Sequence, residues 1–272
     1  MIKLPINLII GIILVAIVLG TALLSLIWTP HDYALLNISE KFHQPNYIYW
    51  LGTDQLGRDV LSLLMAASRN SMIVALVAVL LGGSIGTLLG LLASAIGGWV
   101  EDLVMRIADI GFAFPALLFA IMLAAVFGPS LTNAVFAIAF INIPVFARIT
   151  RASANQIWTR DFVLASRAAG MGRSIITFNH ILPNILAPII VQATIEFAVA
   201  ILAEAALSYL GLGAQPPSPS WGRMLSEAQT LLYLAPQLAI YPGICIVIAV
   251  LGFGLFGDGL RDLTDPRLVR ER

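Results

Sequence analysis

Residues 161–184 read DFVLASRAAGMGRSIITFNHILPN, and they form a polar interruption between two long apolar segments. The interruption contains two arginines and three residues that commonly end helices: Arg167, Arg173, Gly170, Gly172 and Pro183. Charged side chains and irregular backbone are costly inside the hydrocarbon of a membrane. We therefore expect this segment at a membrane surface, where another molecule can contact it.

The same residues predict a helix-turn-helix, which we call the bracket (residues 159–184). Thr159 or Asp161 can cap the start of a first helix. The two glycines end that helix, because glycine readily adopts the left-handed conformation found at helix ends. A second helix over 174–181 is expected to stop before the proline.

Composition places the chain in a membrane. Of its 272 residues 59% are hydrophobic and 11% are charged, with a mean hydropathy of +0.93. Soluble domains carry about 25% charged residues, so this is the composition of an integral membrane protein. Fifteen basic and fifteen acidic residues cancel, so the net charge says nothing about partners. No nucleic-acid partner is expected. The single cysteine, Cys245, excludes an intrachain disulfide.

Six segments approach the length of about 20 apolar residues that a spanning helix needs. They are Ile6–Trp28, Ser71–Ile96, Ile107–Phe127, Leu131–Ala147, Ile185–Leu207 and Leu238–Phe256. The first is longer than the core of a secretion signal, and the WTPHD that follows lacks a small-x-small cleavage site, so we interpret it as a retained helix. The sequence thus predicts an all-α membrane protein with six transmembrane helices.

The basic residues predict the orientation, because cytoplasmic loops carry the excess of Lys and Arg. With the N-terminus inside, eleven basic residues fall on the cytoplasmic side and four on the outer side. The four outer residues are Lys41, Arg58, Arg69 and Arg223. Both termini and the bracket are therefore expected in the cytoplasm.

Two segments lie outside in this topology, His31–Arg69 and Gly211–Gln237. The apolar residues of 60–65 predict a short helix lying at the membrane interface. Prolines in QPPSPSWGRML favour a rigid extended stretch, and we expect Trp221 to anchor it near the headgroups.

Small residues recur inside the predicted second helix. Gly82, Gly86 and Gly90 form a ridge at four-residue spacing, which lets another helix approach closely. The ridge packs either inside this subunit or against a second membrane subunit. Pro115 and Pro144 predict kinks in the third and fourth helices.

The bracket resembles the EAA loop of bacterial ABC importer permeases. That pattern is Glu-Ala-Ala, three residues, Gly, nine residues, an apolar position, any residue and Leu-Pro. With Gly170 as the glycine, Leu182 and Pro183 fall at the required end. The departures are Leu164 for the Glu, Ser166 for the second Ala and His180 at the apolar position.

Further motifs are similar to one branch of these permeases, the peptide/nickel branch and its dipeptide/oligopeptide "C" type. They are GTDQLGRD (52–59), HILPN (180–184), ALSYLGLGAQPPSPSWG (206–222) and GDGLRDLTDPR (257–267). The resemblance extends from about Trp50 to Arg267. It implies the type I importer permease fold, with residues 1–70 as an N-terminal helix and periplasmic segment and residues 71–272 as a five-helix core.

The resemblance also implies partners and a site. A second, homologous permease forms a heterodimer with this chain in the bacterial inner membrane, and two ATP-binding subunits receive the coupling loops. A periplasmic or lipid-anchored solute-binding protein delivers the substrate, which is a peptide, nickel, a metallophore complex or a related solute. The implied coupling residues are Ala165, Ser166, Arg167, Ala169, Gly170, Gly172, His180, Leu182 and Pro183.

A phosphate-binding P-loop needs Gly-Lys-Ser/Thr. The only lysines, Lys3 and Lys41, do not follow glycine, so ATP and Mg are expected on the partners. No cofactor, metal or catalytic activity is expected of this chain.

Ionisable residues within a span are functional hypotheses by default. Glu196 and Glu204 in the fifth predicted helix are candidates for the translocation pathway, where Glu196 would meet an amino group or a metal. Alternatively, Glu196 is a packing residue and Glu204 a structural tie to the neighbouring Gly-Leu-Gly turn. Asp109 is expected to pair with Arg106, one turn away. The three histidines show no metal-ligand spacing and no evident carboxylate partner.

Two other function classes are possible. An intramembrane enzyme could use Glu196 and Glu204 as paired carboxylates, provided that both lie in one water-accessible pocket. A self-contained secondary transporter is the second alternative, and the missing internal repeat disfavours it.

Overall fold

The computed structural model describes residues 5–264, and within this range the chain is almost entirely helical. The helices are α1 (Ile6–Leu24), α2 (Val60–Ile96), α3 (Gly98–Ala113), α4 (Ala116–Phe127), α5 (Leu131–Trp158), α6 (Asp161–Ala168), α7 (Arg173–Ile176), α8 (Leu182–Tyr209), α9 (Trp221–Ala228) and α10 (Gln237–Thr264). Lys3 and the last arginines of the predicted cytoplasmic set, together with the end of the 257–267 motif, lie outside the described residues.

Five stretches are long and apolar enough to cross a membrane unaided: α1, α2, α5, the continuous helix over Arg173–Tyr209, and α10. They correspond to five of the six predicted spans. The second is longer than predicted, because α2 begins at Val60 rather than Ser71. The boundary predicted between residues 70 and 71 consequently falls inside α2.

The remaining predicted span is broken. Helices α3 and α4 meet at an angle of 81°. The break lies at Pro115, and Phe114 before it is extended, with ψ 118°, because proline disfavours the helical conformation of the preceding residue. Pro144, by contrast, lies inside the continuous helix α5.

The glycine ridge of α2 packs against α5 of the same chain. A Cβ atom at Gly82, Gly86 or Gly90 would lie 2.5, 2.4 or 2.6 Å from the carbonyl oxygens of Ala139, Ile143 or Ala147. The register rises by four residues on each helix, so α2 and α5 run parallel. The chain between two parallel spans must return across the membrane, and we conclude that α3 and α4 together form the sixth crossing.

The face of the membrane domain that carries residues 25–59 and 210–236 is called the loop-rich face. Here three predictions were wrong. The WGRML at the end of the proline-rich segment is not extended, because it begins α9. Residues 60–65 do not lie at the interface as a separate helix, because they are the buried first turns of α2. Trp221 is 2% exposed, starts α9, and donates from Nε1 to the Leu64 carbonyl at 3.3 Å, so it is a core residue rather than a headgroup anchor.

Ion pairs join the two outer segments. Arg58 contacts Asp54 (Nε to Oδ2, 2.6 Å) and Glu227 of α9 (Nη2 to Oε2, 2.9 Å). Burial disfavours the charge on Arg58, but the two carboxylates outweigh burial and raise the pKa of its guanidinium. The arginine therefore stays charged and fixes the 52–59 turn against α9.

We expect Gly86→Ala to lower the stability of the chain by about 1–3 kcal/mol, since the new methyl group forces α2 away from α5. Thermal unfolding of the purified protein in detergent measures this. Gly20→Ala is the matched control, because a Cβ at that helical position has no heavy atom within 4 Å. Equal melting temperatures for the two variants would show that close α2–α5 contact is not required.

Candidate functional site

The bracket begins with α6, and its turn is built around Gly170. This residue has a φ of +83°, and its N–H donates to the Arg167 carbonyl at 3.0 Å. The N–H of Met171 donates to the Ser166 carbonyl at 3.1 Å. These two bonds are a Schellman motif, which satisfies free carbonyls at a helix end and favours glycine. Gly172 is different, because it has an ordinary φ of −66° and precedes α7.

The second half of the bracket does not stop before Pro183, contrary to the prediction. Helix α7 continues through a π turn at Thr177–Ile181 directly into α8. Proline lacks the N–H that an α-helix would use, and π turns accommodate such interruptions. The bracket is therefore continuous with a spanning helix over Arg173–Tyr209.

The inner side of the bracket is fixed to the membrane helices. Val163, Ile176 and Ile181 are fully buried, and they pack in one cluster with Leu91 of α2 and Ala154 of α5. The cluster therefore attaches the bracket to two spans, α2 and α5, beside α8, with which the bracket is continuous.

A polar contact adds to this attachment. Nη1 of Arg173 donates to the carbonyl oxygens of Ala95 and Ile96, each at 3.0 Å. These carbonyls belong to the last turn of α2, where a cation is also favoured by the helix dipole. Arg173 therefore joins the start of α7 to the end of α2.

The outer side of the bracket is open. Phe162 and Leu164 are 45% and 47% exposed. Of the predicted coupling residues, most are exposed on the surface: Ala165, Arg167, Ala169, Gly170, Gly172 and Pro183. The other three, Ser166, His180 and Leu182, are half-buried.

Two of the half-buried residues support the local fold. The hydroxyl of Ser166 donates to the Phe162 carbonyl at 2.9 Å, within α6. The His180 ring meets the Phe162 ring edge to face, with centroids 6.3 Å apart. The ring contact links the two arms of the bracket across its turn, because Phe162 lies in α6 and His180 in the π turn.

Glu204 is fully buried near the loop-rich face. Its Oε1 accepts from Ser208 at 2.6 Å and its Oε2 from Ser71 of α2 at 2.7 Å. The Ser208 hydroxyl in turn accepts from the Ala214 N–H at 3.0 Å, just after the Gly-Leu-Gly turn. Glu204 thus ties α8 to α2 and to that turn.

Glu196 lies two turns earlier on α8 and is 8% exposed. Its Oε1 accepts from Gln192 Nε2 at 2.8 Å. The structure does not bring Glu196 and Glu204 together, since each has its own hydrogen-bond partners. The paired-carboxylate enzyme therefore has no support in the geometry.

Ion pairs at the opposite face differ from the sequence prediction. Asp109 pairs with Arg148 of α5 and not with Arg106. Arg148 also lies 4.3 Å from the centre of the Phe112 ring. Next to this pair, Glu101 contacts Arg151. Both pairs join α3 to α5. The paired residues are 39 and 50 positions apart in the sequence, so local spacing could not predict these contacts.

Two of the three histidines lie near carboxylates that the sequence did not indicate. His31 Nδ1 lies 3.5 Å from Asp59, and His43 Nε2 lies 3.3 Å from Glu40. Within residues 5–264 there is no group of three or more His, Cys, Asp or Glu that could hold a metal ion.

We expect Gly170→Ala to loosen the turn by about 1–2 kcal/mol, because a side chain is disfavoured at positive φ. Amide hydrogen exchange of residues 165–171 measures the loosening. Gly172→Ala is the matched control, since it adds the same methyl group at an ordinary φ with open space around it. Equal exchange in both variants would contradict a role for positive φ.

Comparison with known proteins identifies the family. Residues 86–270 match the family "Binding-protein-dependent transport system inner membrane component". The chain is 44% identical over 260 residues to the dipeptide transport system permease protein DppC of Alkalihalophilus pseudofirmus, covering 96% of this chain and 86% of that one. It is 42% identical to the glutathione transport system permease protein GsiD of Pectobacterium atrosepticum, covering 87% and 77%.

Solved structures agree on the fold. An inward-facing structure of the MetNI methionine ABC transporter superposes with a TM-score of 0.62 at 21% identity, over 75% of this chain and 97% of that one. The all-helical fold of a type I importer permease and the family resemblance are thereby confirmed. The chain belongs to the binding-protein-dependent transport system inner membrane components, and it is a multi-pass permease subunit of an ABC importer.

Proposed function

We propose that this permease carries peptides or a related small solute from periplasm to cytoplasm, as one half of a pathway completed by a second, homologous permease. The permeases that it matches are named for dipeptide, di/tripeptide and glutathione transport, which supports a peptide substrate. Nickel or a metallophore complex is the alternative substrate class that we propose. A solute-binding protein is the partner that delivers it.

The proposal that the bracket couples this chain to an ATP-binding subunit rests on the difference between the two sides of the bracket. Its inner side is buried on α2, α5 and α8, while its outer side exposes apolar residues such as Phe162 and Leu164 to water. An exposed apolar patch on a rigid element is typical of a protein-binding surface. We propose that an ATP-binding subunit covers it.

A movement of the ATP-binding subunit would be transmitted to the membrane helices directly, with no flexible loop in between. The bracket continues into α8, and Arg173 holds it to the end of α2. Shear and rigid-body rotation of packed helices are the usual means by which such a displacement changes an access pathway. ATP and Mg would bind to the partner, since neither lysine of this chain is part of a Gly-Lys-Ser/Thr motif.

The proposed orientation places the bracket and both termini in the cytoplasm and the loop-rich face in the periplasm. It rests on the distribution of basic residues, eleven against four. The described arginines near the bracket face include Arg106, Arg148, Arg151 and Arg160, which is consistent with this assignment.

We expect Leu164→Ala to uncouple ATP hydrolysis from uptake while the chain still folds, because its side chain is exposed at the centre of the proposed contact. Proteoliposomes holding the complete importer measure both rates. Ile13→Ala is the control, since Ile13 is exposed on α1, far along the chain from the bracket.

Two results would contradict the proposal. Coupled uptake by the Leu164→Ala importer at the rate of the control would argue against docking at this surface. Substrate uptake by vesicles that contain this chain alone, with neither ATP-binding subunits nor a second permease, would overturn the importer-subunit function.

Glu196 is our proposed pathway residue, with its carboxyl buried and held by Gln192. We expect Glu196→Gln to change the transport rate or the preference between substrates, because the amide keeps the shape but cannot carry charge. Uptake competition between peptides and nickel complexes measures it. Unchanged rates and preferences would indicate a packing residue, and Val199→Ala, a change at an exposed site on the same helix but outside the bracket, controls for general effects.

A further inference from the structure

An open cleft lies between α1, α2 and α8, with Phe253 of α10 at its base. Its volume is 510 Å³, within the range of small-molecule sites. The walls are almost wholly apolar, and the residues at its mouth, Leu23, Leu76, Leu80 and Ile190, are 62, 48, 57 and 52% exposed. The cleft therefore opens sideways toward the surroundings of the helices.

One charged residue, Arg69 of α2, is among those that line this cleft, and because the lining is almost wholly apolar it does so through its hydrocarbon stem. Within residues 5–264 it makes neither a hydrogen bond nor an ion pair. The other two arginines of the loop-rich face both have carboxylate partners: Arg58 contacts Asp54 and Glu227, and Arg223 contacts Glu227 at 2.9 Å. Arg69 is half-buried, and a partly buried cation with no counter-charge in the described part of the chain is stabilised by an anion from outside.

The position of Arg69 along the membrane normal fits a lipid headgroup. The next residue, Asn70, donates to the Pro219 carbonyl of the outer segment at 2.7 Å, and Leu26 of the cleft lies just beyond the end of α1. The α2 wall from Arg69 to Leu80 measures about 16 Å at the helical rise. This is close to half of a hydrocarbon core of about 30 Å.

We propose that the cleft binds an anionic phospholipid such as phosphatidylglycerol, from the leaflet at the loop-rich face. The phosphate accepts hydrogen bonds from the Arg69 guanidinium, and one acyl chain lies between α1, α2 and α8. Acyl chains are as apolar as leucine, so the walls alone give little preference over bulk lipid. The preference comes from Arg69, and no acidic residue among those lining the cleft offers a partner to an amine headgroup.

This proposal can be tested by native mass spectrometry of the purified full-length chain. The chain is first incubated with a mixture of phosphatidylglycerol and phosphatidylethanolamine, and the lipids that stay bound are identified. We expect the wild type to retain one phosphatidylglycerol preferentially, and Arg69→Gln to weaken its retention by at least about tenfold, the equivalent of losing one charge-assisted contact. Arg69→Lys should keep most of the binding. Arg106→Gln is the matched control, because Arg106 is an exposed arginine that lies outside the cleft.

A second variant separates the acyl chain from the headgroup. Leu76→Trp adds volume at the open mouth of the cleft while Arg69 is retained, and it should also reduce the number of lipids bound. Equal retention of phosphatidylglycerol by the wild type and Arg69→Gln would overturn the proposal, as would equal retention of an uncharged diacylglycerol by the wild type. A photo-crosslinker at residue 76 that captures the second permease instead of lipid, in the assembled importer, would also overturn it.

Discussion

The close contact of α2 with α5 is the constraint on which the rest of the fold depends. Glycines at 82, 86 and 90 let the backbone of α2 lie against carbonyl oxygens of α5, nearer than any side chain would allow. Contacts of this kind replace the hydrophobic effect, which does not drive helices together inside lipid. Because the two helices are parallel, α3 and α4 must cross between them, and the ends of α2 and α5 meet under the bracket.

The two faces of the membrane domain are held by different kinds of interaction. At the bracket face, the cluster around Ile176 and Ile181 combines apolar burial with the Arg173 contacts to the end of α2. At the loop-rich face, Glu204 and Arg58 connect helices to turns through buried polar groups with satisfied partners. Such networks fix geometry strongly, since each member would be costly to leave unpaired.

Hydropathy was enough to find every span, because the bilayer alone sets how long and how apolar a spanning helix must be. No knowledge of the neighbouring helices is needed. The turn at Gly170 was equally predictable, since a helix end with positive φ favours glycine for local steric reasons. Most of the errors were non-local. The burial of Trp221 depends on a contact with Leu64, 157 residues away, and the partner of Asp109 is 39 residues away. The π turn before Pro183 was also missed, because a proline after a short helix normally indicates its end.

The uninterrupted helix from Arg173 to Tyr209 has a geometric consequence. Its 37 residues make a rod of about 55 Å, longer than the bilayer with its headgroups. If one end of such a rod is held, a tilt of about 5° moves the other end by about 5 Å, nearly one helical turn. A small rotation at the bracket end of such a rod would therefore displace its far end by a distance comparable to the width of a peptide backbone.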